Sequence, residues 1–258
     1  MEKIILVTGG SRGIGAATCR LAARQGFAVA VNYRADRAAA DSIVSEIRNG
    51  GGRAMAVGAD VADEQAISAM FEAVVSELGV PTALVNSAGI SVHGRVENFD
   101  GDALAHLMRV NVVGTMLCCR EAARLMSTAN GGKGGAIVNV SSMAATIGGR
   151  REASAYATSK AAVDAFTVGF AKEVSAEGIR VNALRPGVTM TDMTTALREN
   201  PAVMAEIVAT IGMKRPAEAA EIAAPILFLL SDEASFVSGA TLDVSGGGFL
   251  VAGSTGGR

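Results

Sequence analysis

Tyr156 and Lys160 stand four residues apart in the run Ser154-Ala155-Tyr156-Ala157-Thr158-Ser159-Lys160. Residues at i and i+4 share one face of a helix, and the Ala-rich continuation through Ala161, Ala162, Val163, Ala165 and Phe166 predicts that conformation. A phenol is a poor acid–base catalyst at neutral pH, because its ordinary pKa is about 10. An ammonium group one turn away favours the phenolate and draws the pKa toward the working range. Such a pair could move a proton to or from a bound oxygen. Taken alone, the spacing reads more simply as two solvated side chains on an amphipathic helix. Motifs elsewhere in the chain decide against that reading.

The first is Thr8-Gly9-Gly10-Ser11-Arg12-Gly13-Ile14-Gly15. It follows the apolar run Ile4-Ile5-Leu6-Val7 and precedes apolar residues at helical spacing, Ala16, Ala17, Cys19, Leu21 and Ala22. Strand, glycine turn and helix form the context of a nucleotide-binding loop. The glycines permit a tight turn and close approach of phosphates, and the helix N-terminus favours the anion.

Apolar strand-like runs near residues 3–8, 28–32, 54–58, 82–86, 135–140, 179–185 and 240–244 alternate with helix-period segments such as 36–49, 63–78, 102–129 and 154–177. This alternation predicts an α/β fold, a parallel sheet covered by helices on both faces. Runs as apolar as Ala136-Ile137-Val138-Asn139-Val140 suit strands buried on both sides.

The glycine spacing Gly-x-x-x-Gly-x-Gly, taken with Tyr156 and Lys160, carries a family resemblance. The chain resembles the short-chain dehydrogenase/reductase family over essentially all of its 258 residues. The marks are Thr8 to Gly15, Asp60-Val61, Asn86-Ser87-Ala88-Gly89, Asn111, Ser141-Ser142, Tyr156 with Lys160, Pro186-Gly187 and Ser238-Gly239, in the family's order. The resemblance implies one doubly wound Rossmann domain over 1–258, with seven strands in the order 3-2-1-4-5-6-7. It also implies a substrate lid over about 188–215, where Met190, Met193, Leu197, Met204, Ile207, Ile211 and Met213 cluster.

By the same resemblance the catalytic residues are Asn111, Ser142, Tyr156 and Lys160. Tyr156 exchanges a proton with the substrate oxygen, Lys160 lowers its pKa and holds the nicotinamide ribose, Ser142 bonds the substrate oxygen, and Asn111 links Lys160 to solvent near a helix distortion. Ser142 lies fourteen residues before Tyr156, one more than the family's commonest spacing, and the loop Met143 to Ala153 absorbs the extra residue. Gly9, Ser11, Arg12, Gly13, Ile14 and Gly15 line the phosphates. Asp60 and Val61 border the adenine, and Asn86, Ala88 and Gly89 follow the fourth strand beside the cofactor. Pro186 and Gly187 open the loop over the nicotinamide, with Thr189 and Thr191 as carboxamide partners.

The second strand decides which dinucleotide. A carboxylate at its end would accept from the ribose 2′-hydroxyl of NAD and repel a 2′-phosphate. This strand ends Asn32-Tyr33-Arg34, with no acid before Asp36. Arg34 and Arg12 can form charge-assisted bonds to a phosphate. The expectation is NADP(H) as preferred cofactor, with NAD(H) use possible.

Composition excludes other classes. Formal net charge is −2, from 23 basic and 25 acidic residues interspersed, with no basic stripe for nucleic acid. No apolar stretch reaches the roughly 20 residues that span a bilayer, and the start of the chain lacks a signal peptide's pattern. Cys19, Cys118 and Cys119 and the two histidines, His93 and His106, lack metal-ligand spacing. The reading is a soluble, cytoplasmic homotetramer without metal, nucleic-acid or membrane partners. Its activity is hydride transfer between the nicotinamide and a small ketone, aldehyde or secondary alcohol.

Two alternatives stand beside it. The acyl-carrier-protein β-ketoacyl reductases (3-oxoacyl-acyl-carrier-protein reductases) are a close comparison, as are glucose-dehydrogenase-like members. Carrier docking, however, wants basic residues where this chain has Ser127-Thr128-Ala129-Asn130 and Glu177, with Arg124 and Lys133 nearby. A dinucleotide-sensing regulator without turnover is the alternative of another class, opposed by the presence of Asn111, Ser142, Tyr156 and Lys160 together.

Overall fold

Ile4, Ile5, Leu6 and Val7 form an unbroken apolar run, and such a strand needs cover on both faces. In the computed structural model, which describes residues 3–195 and 199–248, this run lies in β1 (Lys3–Thr8), and all four residues are buried. The other strands of the main sheet are β2 (Phe27–Tyr33), β3 (Ala54–Gly58), β4 (Ala83–Asn86), β5 (Gly135–Val140), β6 (Ile179–Pro186) and β9 (Thr241–Val244). Their order is β3-β2-β1-β4-β5-β6-β9, and every pairing is parallel. The expected fold class and strand order are the observed ones.

Alternate residues of a strand point to opposite faces, so Ile5 and Val7 face one helical layer and Leu6 the other. The first layer holds α1 (Gly13–Arg24), α2 (Arg37–Asn49) and the helix Ala219–Leu230, with Cys19, Ile43, Ile222 and Ile226 in its core. The second contains α3 (Glu64–Glu77), α5 (Thr115–Met126) and α7 (Ser154–Val174), around Met70, Phe71, Cys118 and Val174. Each fully buried Ile or Leu contributes about 1.5–3 kcal/mol relative to exposure.

The chain leaves β1 toward β2 and β3, then crosses to β4 on the other side of β1. The helices that follow β1 and β4, α1 and α5, therefore lie on opposite faces of the sheet, and this switch in strand order places a crevice at its carboxyl edge. The helix expected over 102–129 is interrupted. α4 (Gly101–Met108) passes into a wide π-helical turn, Arg109–Gly114, before α5. Close packing explains the glycine that ends this turn: a Cβ on Gly114 would sit 2.4 Å from the Val61 carbonyl oxygen.

Buried polar groups tie the active-edge elements together. Asn86 Nδ2 donates to Asn139 Oδ1 at 2.9 Å, and Asn139 Nδ2 donates to Thr167 Oγ1 at 2.9 Å, a chain running from β4 through β5 to α7. Some local structure carried no periodic signal. The short helix α6 (Ala144–Ile147) and the two-residue strands β7 (Thr189–Met190) and β8 (Ala217–Glu218), which pair with each other, are of this kind. Of the methionines in segment 188–215, Met193 and Met213 are well exposed, and Leu197 lies outside the described residues.

Candidate active site

α7 starts at Ser154, which puts Tyr156 in its first turn and Lys160 one turn on. Lys160 is buried; its Nζ donates to the Val140 carbonyl at 2.8 Å and lies 5.9 Å from the Tyr156 ring centroid. Neighbouring serines fix the helix. Ser141 Oγ donates to the Lys160 carbonyl at 3.1 Å, and Ser159 Oγ donates to the Tyr156 carbonyl at 2.7 Å.

Asn111 occupies the wide turn and is buried. Its Oδ1 accepts from Ile90 N at 2.9 Å, while its Nδ2 donates to Ile90 O at 2.9 Å and to Ser159 Oγ at 3.0 Å. The loop after β4 is thereby clamped against α7. A Cβ placed on Gly89 would lie 3.4 Å from Asn111 Oδ1 and 3.5 Å from Lys160 Nζ, so these three residues meet. Ser142, just past β5, accepts from Ala144 N, the first residue of α6, at 3.1 Å. Its hydroxyl reaches Tyr156 as well. The four residues expected to do chemistry thus converge at one point of the carboxyl edge.

Burial pulls the Lys160 ammonium down to about 8, partly countered by the Asp164 carboxylate one turn further along α7. At Tyr156 burial also dominates and raises the phenol above its ordinary value, with the Ser142 hydroxyl pulling the other way. The expected lowering by Lys160 is not observed: burial sets the direction, and the Ser142 hydroxyl is what opposes it. That ammonium is turned onto Val140 O and is itself driven toward its neutral form.

At the nucleotide side, Gly9 has φ +62°, and a Cβ there would strike the Ala88 Cα at 2.9 Å. The loops after β1 and β4 touch backbone to backbone, which only glycine allows. Thr8 Oγ1 accepts from both Ser87 N at 3.1 Å and Ala88 N at 3.2 Å, locking the contact. α1 has Arg12 at its N-cap with no side-chain cap and no acid in its first turn, whereas Asp36, Asp63 and Asp100 cap α2, α3 and α4. The first amide groups of α1, at Gly13, Ile14 and Gly15, thus stand at a helix N-terminus without a side-chain cap, a setting that favours an anion.

Asn32 falls elsewhere than expected. It is buried, its Oδ1 accepts from Gly9 N at 3.1 Å, and its Nδ2 donates to Val57 O at 3.2 Å and Ala59 O at 3.1 Å. Its amide is spent beneath the glycine loop, holding it up. Tyr33 lies over Gly58, and Arg34 is exposed beyond the end of β2. Asp60 Oδ1 accepts from Ala62 N at 2.9 Å, which shapes the turn after β3, and Val61 is buried. Ser11 is half-buried in the glycine loop. After β6, Gly187 N donates to Val244 O at 2.9 Å, Thr189 Oγ1 to Gly187 O at 3.1 Å, and Thr191 N to Thr194 Oγ1 at 3.0 Å. Pro186 and Thr189 are buried, and Thr191 is half-buried.

Sequence reasoning missed Asp164 and Arg185. Arg185 Nε donates to Asp164 Oδ2 at 2.8 Å and Arg185 Nη1 bonds Asp243 Oδ1 at 3.3 Å, so α7, β6 and β9 are linked one residue before Pro186. An acid one turn after Lys160, with an arginine ahead of Pro-Gly, was the available signal. Glu152 was missed too: it has φ 66°, uncommon for a side-chain-bearing residue, and its carbonyl accepts from Gly94 N at 2.9 Å. This bond brings the loop bearing His93 to the entrance of α7. No local pattern announces it.

Comparison with known proteins bears on this geometry. The family model described as enoyl-(acyl carrier protein) reductase matches residues 9–248. An uncharacterized oxidoreductase of Escherichia coli (strain K12), YgfF, is 45% identical over 245 residues, covering 95% of this chain and 99% of that protein. The 3-oxoacyl-[acyl-carrier-protein] reductase FabG of Staphylococcus aureus (strain Mu50 / ATCC 700699) is 34% identical over 250 residues, covering 97% of this chain and 99% of the relative. Among solved structures, a short-chain dehydrogenase from Burkholderia cenocepacia J2315 in complex with NADP superposes with TM-score 0.88 at 34% identity, covering 95% of this chain and 97% of the other.

The buried lysine has a measurable signature. Its value in the folded chain, about 8, lies below the ordinary 10.5. Below pH 8 both states hold the proton and the burial cost is present in full. Between about 8 and 10.5 the unfolded chain binds more protons, so this group makes stability rise with pH. Urea denaturation across that window should show the wild type gaining stability relative to Lys160→Met as pH increases. A difference that stays flat from pH 8 to 10.5 would mean that Lys160 is solvated.

Proposed function

The chain belongs to the short-chain dehydrogenase/reductase family of oxidoreductases, and on that footing we propose an NADPH-preferring enzyme whose catalytic residues are Tyr156, Ser142, Lys160 and Asn111. It transfers hydride between the nicotinamide and the carbon of a small ketone, aldehyde or secondary alcohol. The observation that carries this reading is the convergence of those four side chains beside the glycine loop. When bound, the cofactor supplies or takes the hydride.

The chain's own residues supply the proton and the geometry. Burial keeps Tyr156 in its phenol form at neutral pH, the form that gives a proton to a carbonyl oxygen. Ser142 lies beside the same oxygen position and can bond it. Asn111 holds Ile90 and Ser159 in place and thus the helix turn bearing Tyr156. The uncapped start of α1, the absence of an acid at the end of β2, and exposed Arg34 suit a dinucleotide with a 2′-phosphate, as does the NADP of the Burkholderia relative. We take the chain as one unit over 1–258, with 188–215 as the substrate lid. Three unpaired, buried thiols suit a reducing cytoplasm, and among the described residues no helix is long and apolar enough to cross a membrane.

Tyr156→Phe keeps the ring and removes the proton, so turnover should fall by at least about two orders of magnitude while NADPH binding stays nearly unchanged. Steady-state rates with a panel of carbonyls, together with a cofactor titration, check this. Turnover within a few-fold of wild type would end the assignment and with it the proton role.

The substrate is read as a free small molecule. At the site where an acidic carrier would need a positive patch, Ser127 Oγ donates to Glu177 Oε2 at 2.5 Å, and Arg124 is engaged by Glu121 at 3.0 Å. Free acetoacetyl ester and the acetoacetyl group on carrier protein should therefore be reduced with comparable kcat/KM, with little salt dependence for the latter. A far higher value for the carrier-bound form, falling steeply with salt, would favour the carrier-protein reading instead.

The assembly is read as a homotetramer. Phe236 is fully exposed and Phe228 43% exposed near the end of the chain, while Val113, Met116 and Val168 stand out from the α5 and α7 side. Apolar side chains this large call for a partner, and a second copy offers a self-complementary one. Light scattering at micromolar concentration should give the mass of four 26.1 kDa chains, and Phe236→Asp should lower it. A monomer mass for the wild type would refute the assembly.

A further inference from the structure

Arg12 and Asp192 come from two loops at the carboxyl edge of the sheet. Arg12 precedes α1 in the glycine loop, and Asp192 opens the helical turn Asp192–Thr194 in the segment after β7. The two loops touch: a Cβ on Gly13 would lie 3.2 Å from Thr191 Cγ2 and 3.3 Å from Thr191 Cβ. Across that contact, Arg12 Nη1 stands 3.6 Å from Asp192 Oδ2, with both side chains more than half exposed. Asp192 has no structural need of Arg12. The turn it begins is closed by Thr191 and Thr194, through Thr191 N to Thr194 Oγ1 at 3.0 Å and Thr194 N to Thr191 O at 3.1 Å.

Arg12 is one of the two cations assigned above to the 2′-phosphate. Arg34, the other, is exposed. The phosphate therefore finds one arginine open and the other facing a carboxylate. We propose that Asp192 is a cofactor-specificity residue: it competes with the 2′-phosphate for Arg12 and so restrains the preference for NADP(H) over NAD(H). This inference rests on the reading of Arg12 as a phosphate ligand. NAD(H) has no 2′-phosphate and leaves the Arg12–Asp192 pair untouched, so the effect is confined to one cofactor. It is also modest, since an exposed ion pair at this distance is worth little in water.

The test is a cycle of four proteins: wild type, Asp192→Asn, Arg12→Ala and the double variant. Dissociation constants for NADPH and NADH are measured by cofactor fluorescence without substrate, so that no later step enters. Asparagine keeps the size of the side chain and the turn while removing the charge. Asp192→Asn should tighten NADPH by about two- to fivefold and leave NADH unchanged, and the gain should shrink with added salt. In the Arg12→Ala background the same substitution should leave the NADPH-to-NADH ratio much less affected. An unchanged or weakened NADPH affinity in Asp192→Asn, with Arg12→Ala still losing NADPH selectively, overturns the inference and spares the cofactor reading. An Arg12→Ala protein with the wild-type ratio overturns both.

Discussion

A buried amide side chain has an acceptor and two donors to satisfy, and leaving one unmet costs about 1–3 kcal/mol. The carboxyl half of this molecule is organised around that constraint. Asn32, Asn86, Asn111, Asn139 and Asn182 are all almost fully buried, and each bonds a segment that lies outside its own element, although Asn86 Oδ1 has no partner among the described residues. Asn32 carries the glycine loop, Asn111 the loop after β4, and Asn182 the turn before β9 through Ala240 N at 3.0 Å and Val237 O at 2.8 Å. Parallel strands satisfy one another along their length but leave their ends and the following loops to other partners. The amides supply them, and loops that would otherwise wander are set in register with the sheet.

That scaffold permits a charged side chain to be held in the interior. Lys160 reaches Val140 O on the neighbouring strand, and Asp164 follows one turn later with its own tie to Arg185. Asp164 Oδ1 has no hydrogen-bond partner among the described residues, while Oδ2 takes the Arg185 bond. At the helix start burial lowers the Lys160 ammonium, the Asp164 carboxylate opposes that lowering, and burial raises the Tyr156 phenol.

Much of this was legible beforehand, for physical reasons. The parallel sheet follows from strands too apolar to face water, and the Tyr156–Lys160 adjacency follows from helix geometry. What escaped depends on contacts between distant segments. Asn32 reads as a ligand-facing residue because it ends a strand next to Tyr33 and Arg34; its true neighbours, Gly9, Val57 and Ala59, become visible only in three dimensions. The direction of the Tyr156 shift was missed because local spacing counts charges but not burial. α6 and the β7–β8 pair are too short for any period to register, and the left-handed Glu152 bonds Gly94, a residue far away in the chain.

The cysteines add a practical property. Only a thiolate attacks an alkylating reagent, and burial pushes Cys118 up to about 12 and raises Cys19 and Cys119 as well. At neutral pH all three are therefore silent while the core stays shut. They are also divided between its two halves: Cys19 lies in the layer of α1, and Cys118 and Cys119 lie in that of α5. Time-resolved mass spectrometry of iodoacetamide adducts would register each layer on its own clock, with no tag or inserted probe. The native chain carries the reporters needed to tell whether its halves come apart as one cooperative unit or in turn.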